Sequence, residues 1–146
     1  LRHLRILPDL EAVRAQMARH RAIIQPKFEM VLSAFEDGLK GLSGVSWTKP
    51  NGGYFISLDL PRGCASRAVA LAKEAGLVLT PAGATFPYGR DPEDANIRVA
   101  PTYPSLPELE KALELMICCV RLALNKIEFS DSVNFGQRLQ KYQIPT

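Results

Sequence analysis

Apolar residues in the first forty positions recur at helical rather than strand spacing. Leu10, Val13 and Met17, then Ile24, Phe28, Val31, Leu32, Phe35 and Leu39, fall on one side of a helical repeat. The spacing predicts a long helical stretch from about Asp9 to Lys40, with Asp9 as its N-cap and Gly41 and Gly44 at its end. Pro26 lies inside it. Proline removes an intrahelical hydrogen bond and crowds the preceding turn, so a kink or a break is expected near Gln25.

The period then changes. Val45 to Lys49 and Tyr54 to Leu60 read as strands joined through Asn51-Gly52, a hairpin signal, although Gly53 is equally compatible with a bulge. Helical spacing returns from about Ala65 to Ala75, with Val69, Leu71 and Ala72 inward and Gly76 as the stop. Leu77 to Thr80 reads as a brief buried strand, and residues 81–95 as a loop rich in Pro, Gly and Asp. Asn96 to Ala100 alternates again, so Ile97 and Val99 share one face and Arg98 projects from the other.

Ser105-Leu106-Pro107-Glu108 is a capping box with proline in the first turn. Leu106, Leu109, Leu113, Met116 or Ile117, Val120 and Leu124 supply the apolar stripe of the helix it opens. From about Ile127 the periodicity fades, and residues 131–146 read as a polar tail that docks or stays loose. The order of elements predicts an α+β fold, with helices over one face of a small mixed or antiparallel sheet.

Composition narrows the function classes. The 146 residues suit one domain, and 47% apolar with 23% charged residues is ordinary for a globular chain with a real core. A net charge of +3, with its basic residues scattered, argues against nucleic acid as a partner. The densest cluster, Arg14, Arg19, His20, Arg21 and Lys27, reads as the solvated face of a helix. Cys64, Cys118 and Cys119 have no metal-ligand spacing, and adjacent helical side chains diverge, so three reduced thiols and no metal site are expected. No apolar run is long enough to span a membrane and the start lacks signal-peptide organisation, so a cytoplasmic location is expected. The first residue is not Met, which points to a start inside a longer chain.

The candidate chemistry centres on Arg98. Upstream of it lie two glycine-bearing turns, Pro50-Asn51-Gly52-Gly53-Tyr54-Phe55 and Pro81-Ala82-Gly83-Ala84-Thr85-Phe86. A lone guanidinium facing backbone stripped of side chains suits bidentate capture of a small carboxylate. Taken singly, the same residues fit an edge-strand arginine in solvent and two ordinary turns.

Taken together, Lys49-Pro50-Asn51-Gly52-Gly53-Tyr54-Phe55-Ile56-Ser57-Leu58-Asp59-Leu60, Glu74-Ala75-Gly76-Leu77-Val78-Leu79-Thr80-Pro81-Ala82-Gly83-Ala84-Thr85-Phe86 and Asn96-Ile97-Arg98-Val99-Ala100 resemble a known family. They are similar to the C-terminal small domain of fold-type I, pyridoxal-phosphate-dependent aminotransferases, nearest the MocR-like class I branch, where Thr80 to Gly89 is characteristic. The resemblance covers about residues 1–124. It divides the chain into a helical inter-domain stretch (1–40), an aminotransferase-like C-terminal domain (41–126) and a tail (127–146).

The resemblance implies that Arg98 pairs with the α-carboxylate of an amino-acid substrate and fixes its Cα–H bond relative to the cofactor ring. It implies close approach of the chain at Gly53, a polar contact from Asn51, and exclusion of water by Tyr54 or Phe55. The activity implied is transfer of an amino group between an amino acid, aspartate or similar, and a 2-oxo acid, within a homodimer. The chain departs from the family in lacking the Schiff-base lysine, the aspartate for the pyridinium nitrogen and the phosphate loop. None of Lys27, Lys40, Lys49, Lys73, Lys111, Lys126 and Lys141 stands in the family's lysine context. Those groups belong to a large domain preceding this segment, so the chain alone is expected to carry no catalytic or cofactor-binding residue and to be inactive. The resemblance also admits the effector domain of a MocR-type transcription regulator, although no helix-turn-helix is legible. A stand-alone α+β interaction module is the third reading.

Overall fold

The computed structural model describes residues 5–140, with side chains as far as Asn125. Its elements run in the order α1 (Leu10–Leu39), β1 (Ser46–Trp47), β2 (Ile56–Asp59), α2 (Ala65–Glu74), β3 (Asn96–Val99) and α3 (Leu106–Gln140), with a 3-10 turn at Pro87–Gly89. The strands form an antiparallel sheet in the order β1-β2-β3. Helices cover one of its faces, which is the α+β arrangement read from the sequence.

Register explains which face they cover. Ile56 pairs with Val99 and Leu58 with Ile97, so all four alternating apolar residues point to the same side. There they meet Phe28, Val31, Phe35 and Leu39 of α1, and Leu109, Leu113, Met116 and Val120 of α3, in one buried cluster. Trp47 of β1 adds an edge-on contact with Phe35, ring centroids 5.7 Å apart. The same alternation turns Ser57, Asp59, Asn96 and Arg98 to the opposite face.

The helix ends follow their sequence signals. Asp9 accepts a hydrogen bond from the Ala12 N–H at 2.8 Å, capping α1. Glu108 accepts from the backbone N–H of Ser105, one half of the capping box, and also from the Ser105 hydroxyl. At the end of α2, Gly76 takes φ +89°; its N–H reaches the Lys73 carbonyl and that of Leu77 reaches Ala72, a Schellman closure.

Several expectations are corrected. α1 passes through Pro26 without a break. The proline removes one N–H, but hydrogen bonds from Arg21 to Gln25 and from Gln25 to Glu29 run along the helix surface beside it. Only the second half of the predicted α1 stripe is buried, and Leu10 and Met17 stay exposed. The buried positions Phe28, Val31, Phe35 and Leu39 all lie in its second half, where α1 packs into the core cluster. In α2 the fully buried face is Ala65, Ala68 and Ala72, with Val69 and Leu71 only partly covered. The predicted strand at Leu77 to Thr80 does not form: the Leu77 N–H is held by the helix cap and Val78 is 87% exposed. Both hairpin strands are shorter than predicted, and residues 48–55 connect them in place of a two-residue turn. The third helix continues to Gln140, past the point where the apolar period fades; residues 1–4 and 141–146 of the sequence reading lie outside the described residues. Cys64 and Cys119 are buried and Cys118 is exposed, all three as free thiols.

Candidate functional site

The outer face of the sheet carries a polar surface that the core-facing residues fix in place. Asn96 is its hub. Its side-chain amide donates to the Ser57 hydroxyl at 2.7 Å and to Asp59 at 2.6 Å, while its Oδ1 accepts from the Thr85 hydroxyl at 2.8 Å. One side chain thereby ties β3 to β2 and to the loop that carries the second glycine turn.

That loop is closed tightly on itself. Gly83 has φ +80°, and a Cβ there would lie 2.5 Å from the Gly89 carbonyl oxygen, so only glycine fits. Tyr88, at φ 59°, stands almost fully exposed on the 3-10 turn. Asp91 ends the loop by accepting the N–H groups of Glu93, Ala95 and Asn96. Burial pushes the Asp91 carboxyl up, but the combined backbone donors outweigh it and hold it below its usual range. The neighbouring Asp94 carboxylate accepts from the backbone N–H and hydroxyl of Ser66 in the first turn of α2.

Arg98 stands directly across from Ser57 on this face. Its guanidinium carbon lies 4.6 Å from the centre of the Phe55 ring. Its Nε is buried and has no hydrogen-bond partner, and no carboxylate pairs with it among the described residues. A half-buried cation left without an anion is costly, and an unpaired buried donor alone costs about 1–3 kcal/mol. An incoming carboxylate would supply the missing charge.

Asn51, Gly53 and Tyr54 come together elsewhere. They line a groove of about 820 Å³ between the 50–54 turn and the first half of α1, facing Met17, Arg21 and Ile24. Arg98 does not line that groove. Phe55, next in sequence to Tyr54, joins the two places. The first glycine turn itself is open: a Cβ at Gly52 or Gly53 would touch nothing, although Gly53 has φ +97°.

Sequence reasoning assigned no role to Asn96, Ser57 or Thr85. The signal was present for the first two, since period-two alternation puts Asn96 beside Arg98 and Ser57 beside Asp59 on one face. Nothing local announces Thr85, whose partner is eleven residues away.

Pyridoxal phosphate needs a free lysine amine, a carboxylate for its ring nitrogen and an anion cradle. Here Lys27 donates to the Thr102 carbonyl at 2.7 Å, and Lys40 and Lys49 both pair with Glu36. The cation pairs hold the Glu36 carboxyl low, first through Lys40, and raise the Lys40 amine in turn. These three amines are thus already engaged within the chain. Also among the described residues, no cluster suits a metal ion and no helix is long and apolar enough to cross a membrane.

Comparisons with known proteins agree in kind. The family model described as aspartate amino-transferase matches residues 1–131. A provisionally named aminotransferase of Mycolicibacterium smegmatis is 51% identical over 131 residues, covering 90% of this chain and 31% of the relative. The aspartate aminotransferase of Corynebacterium glutamicum is 48% identical over 84% of this chain and 28% of its own length. A crystal structure of an aspartate transaminase from the same organism superposes with a TM-score of 0.80, covering 83% of this chain and 28% of that one. A kynurenine aminotransferase of Pyrococcus horikoshii, solved with PMP, superposes at 0.61 with 26% identity, over 71% of this chain and 25% of its own. The chain thus spans about a third of the length of the curated relatives it matches.

Proposed function

The chain belongs to the aspartate amino-transferase family, and from that premise we propose that it is the carboxylate-binding small domain of a larger aminotransferase. The reaction would move an amino group between an amino acid, aspartate or a close analogue, and a 2-oxo acid. The observation that carries this reading is Arg98: a guanidinium on the outer face of the sheet, set over an aromatic ring and paired with no carboxylate among the described residues. Family membership supports a substrate carboxylate as its anion.

Within the reaction, Arg98 holds the substrate α-carboxylate through a planar fork, which fixes rotation about the bond to Cα as a point charge could not. Phe55 keeps water from one side of the ion pair, whereas Asn51, Gly53 and Tyr54 face the groove against α1 rather than Arg98. The pyridoxal cofactor, held by the rest of the protein, supplies the electron sink. The catalytic lysine, the large domain and a second copy of the whole chain, as a homodimer, complete this reading. The 146 residues by themselves should transfer no amino group.

The matched relatives reported above carry enzyme names, and they favour catalysis over a regulatory effector role. Calorimetric titration of the full-length protein with 2-oxoglutarate tests the site. Binding should weaken about tenfold or more in Arg98→Lys, the loss of roughly one charge-assisted hydrogen bond. Equal binding by both proteins would remove Arg98 from the site.

A further inference from the structure

Phe55 precedes β2, and the register places it diagonally across from Arg98, on the same outer face. The guanidinium carbon sits over its ring, 4.6 Å from the centroid. The Nε atom is buried and has no acceptor among the described residues. With the ring against Cζ and Nε closed off, the two terminal nitrogens are the donors left for an incoming anion. A carboxylate must then meet Arg98 end-on, in the guanidinium plane.

We propose that Phe55 is a positioning residue for substrate, acting through Arg98: its ring pre-sets the plane of the guanidinium so that the terminal nitrogens face the incoming carboxylate. This rests on the carboxylate-binding role of Arg98 given above. An arginine side chain has many rotamers, and fixing them at the moment of binding weakens affinity. A stacked ring removes that loss beforehand. Because the same orientation serves bound substrate and transition state, the effect falls on KM and on the binding of unreactive acids more than on kcat. Phe55 is 48% exposed and outside the core cluster, so replacing it leaves the fold's main packing intact.

The test uses the full-length protein with its cofactor, and compares Phe55→Leu, Phe55→Met, Phe55→Tyr and Arg98→Lys with the parent. Steady-state kinetics with aspartate give kcat and KM, and succinate serves as an unreactive competitor. Loss of the ring in Phe55→Leu and Phe55→Met should raise both KM and the succinate inhibition constant about 3- to 10-fold, with kcat within about twofold, as expected for a cation–π contact of ordinary strength. Phe55→Tyr, which keeps the ring, should stay within about twofold of the parent in all three. Parent-like values in Phe55→Leu and Phe55→Met would overturn the positioning role, as would a Phe55→Tyr variant impaired to the same degree. An unimpaired Arg98→Lys would instead overturn the underlying carboxylate site, so the two failures are told apart.

Discussion

The hydroxyl of Thr85 donates to the side-chain oxygen of Asn96 at 2.8 Å, and through that bond the glycine loop is anchored to the outer face of the sheet. The two residues are far apart in the local pattern, one in a loop and one in a strand. Their contact gives the site its shape, because the same amide also bridges to Ser57 and Asp59 on β2.

Replacing Asn96 by Ala removes three side-chain hydrogen bonds at once. The groups left behind are partly reached by water, so a loss of roughly 1–3 kcal/mol is expected rather than the full sum. The Tm of the small domain should fall, and hydrogen exchange should quicken in residues 81–90 before it quickens in the core. Uniform protection across both regions would show that the anchor has no such role.

Gly83→Ala tests the loop from the other side. The added Cβ would press on the Gly89 carbonyl oxygen and would also have to hold a positive φ. Strain of this kind costs about 1–3 kcal/mol, and the backbone atom it meets cannot rotate away. Gly53→Ala offers the contrast, since it shares the positive φ without any neighbour. Thermal denaturation should therefore rank Gly83→Ala below Gly53→Ala, and the reverse order would refute the close contact.

Much of this architecture is legible in the chain itself. The Asp9 cap, the Gly76 stop, the Ser105–Glu108 box and the inward set Ile97 and Val99 are local signals, and local physics decides them. The misses have a different origin. Leu10 and Met17 carry the right periodicity, but both stay largely exposed among the described residues. Val78 looks like a buried strand residue, yet no strand pairs with it here. In each case the pattern is right for burial, but nothing among the described residues packs there. The candidate site divides in the same way. Arg98 was visible from alternation, whereas the stack on Phe55 and the hub at Asn96 depend on register between strands, which one strand's sequence does not carry.

Asp91 gives a pH dependence with a definite sign. Its folded carboxyl sits below the ordinary value of 3.8: burial pushes it up, and the N–H groups of Ala95, Asn96 and Glu93 together more than offset that. The contribution to stability is therefore complete above about pH 4 and disappears as pH falls through the lower folded value. Asp91→Asn should show weaker protection of the Ala95 and Asn96 amides at neutral pH and should lose this acid-side dependence. An unaltered acid profile would mean that the carboxylate does not hold the loop.

The most direct measurement is the kcat/KM of the full-length protein for aspartate, with Arg98→Lys set beside the parent. Lysine keeps the charge and discards the planar fork, so kcat/KM should fall about 10- to 100-fold, with KM carrying most of the change. The chain's fold and its Tm should hold nearly constant. Unchanged kcat/KM in a well-folded Arg98→Lys protein would contradict this role, because the guanidinium that no carboxylate pairs with among the described residues would then receive no substrate.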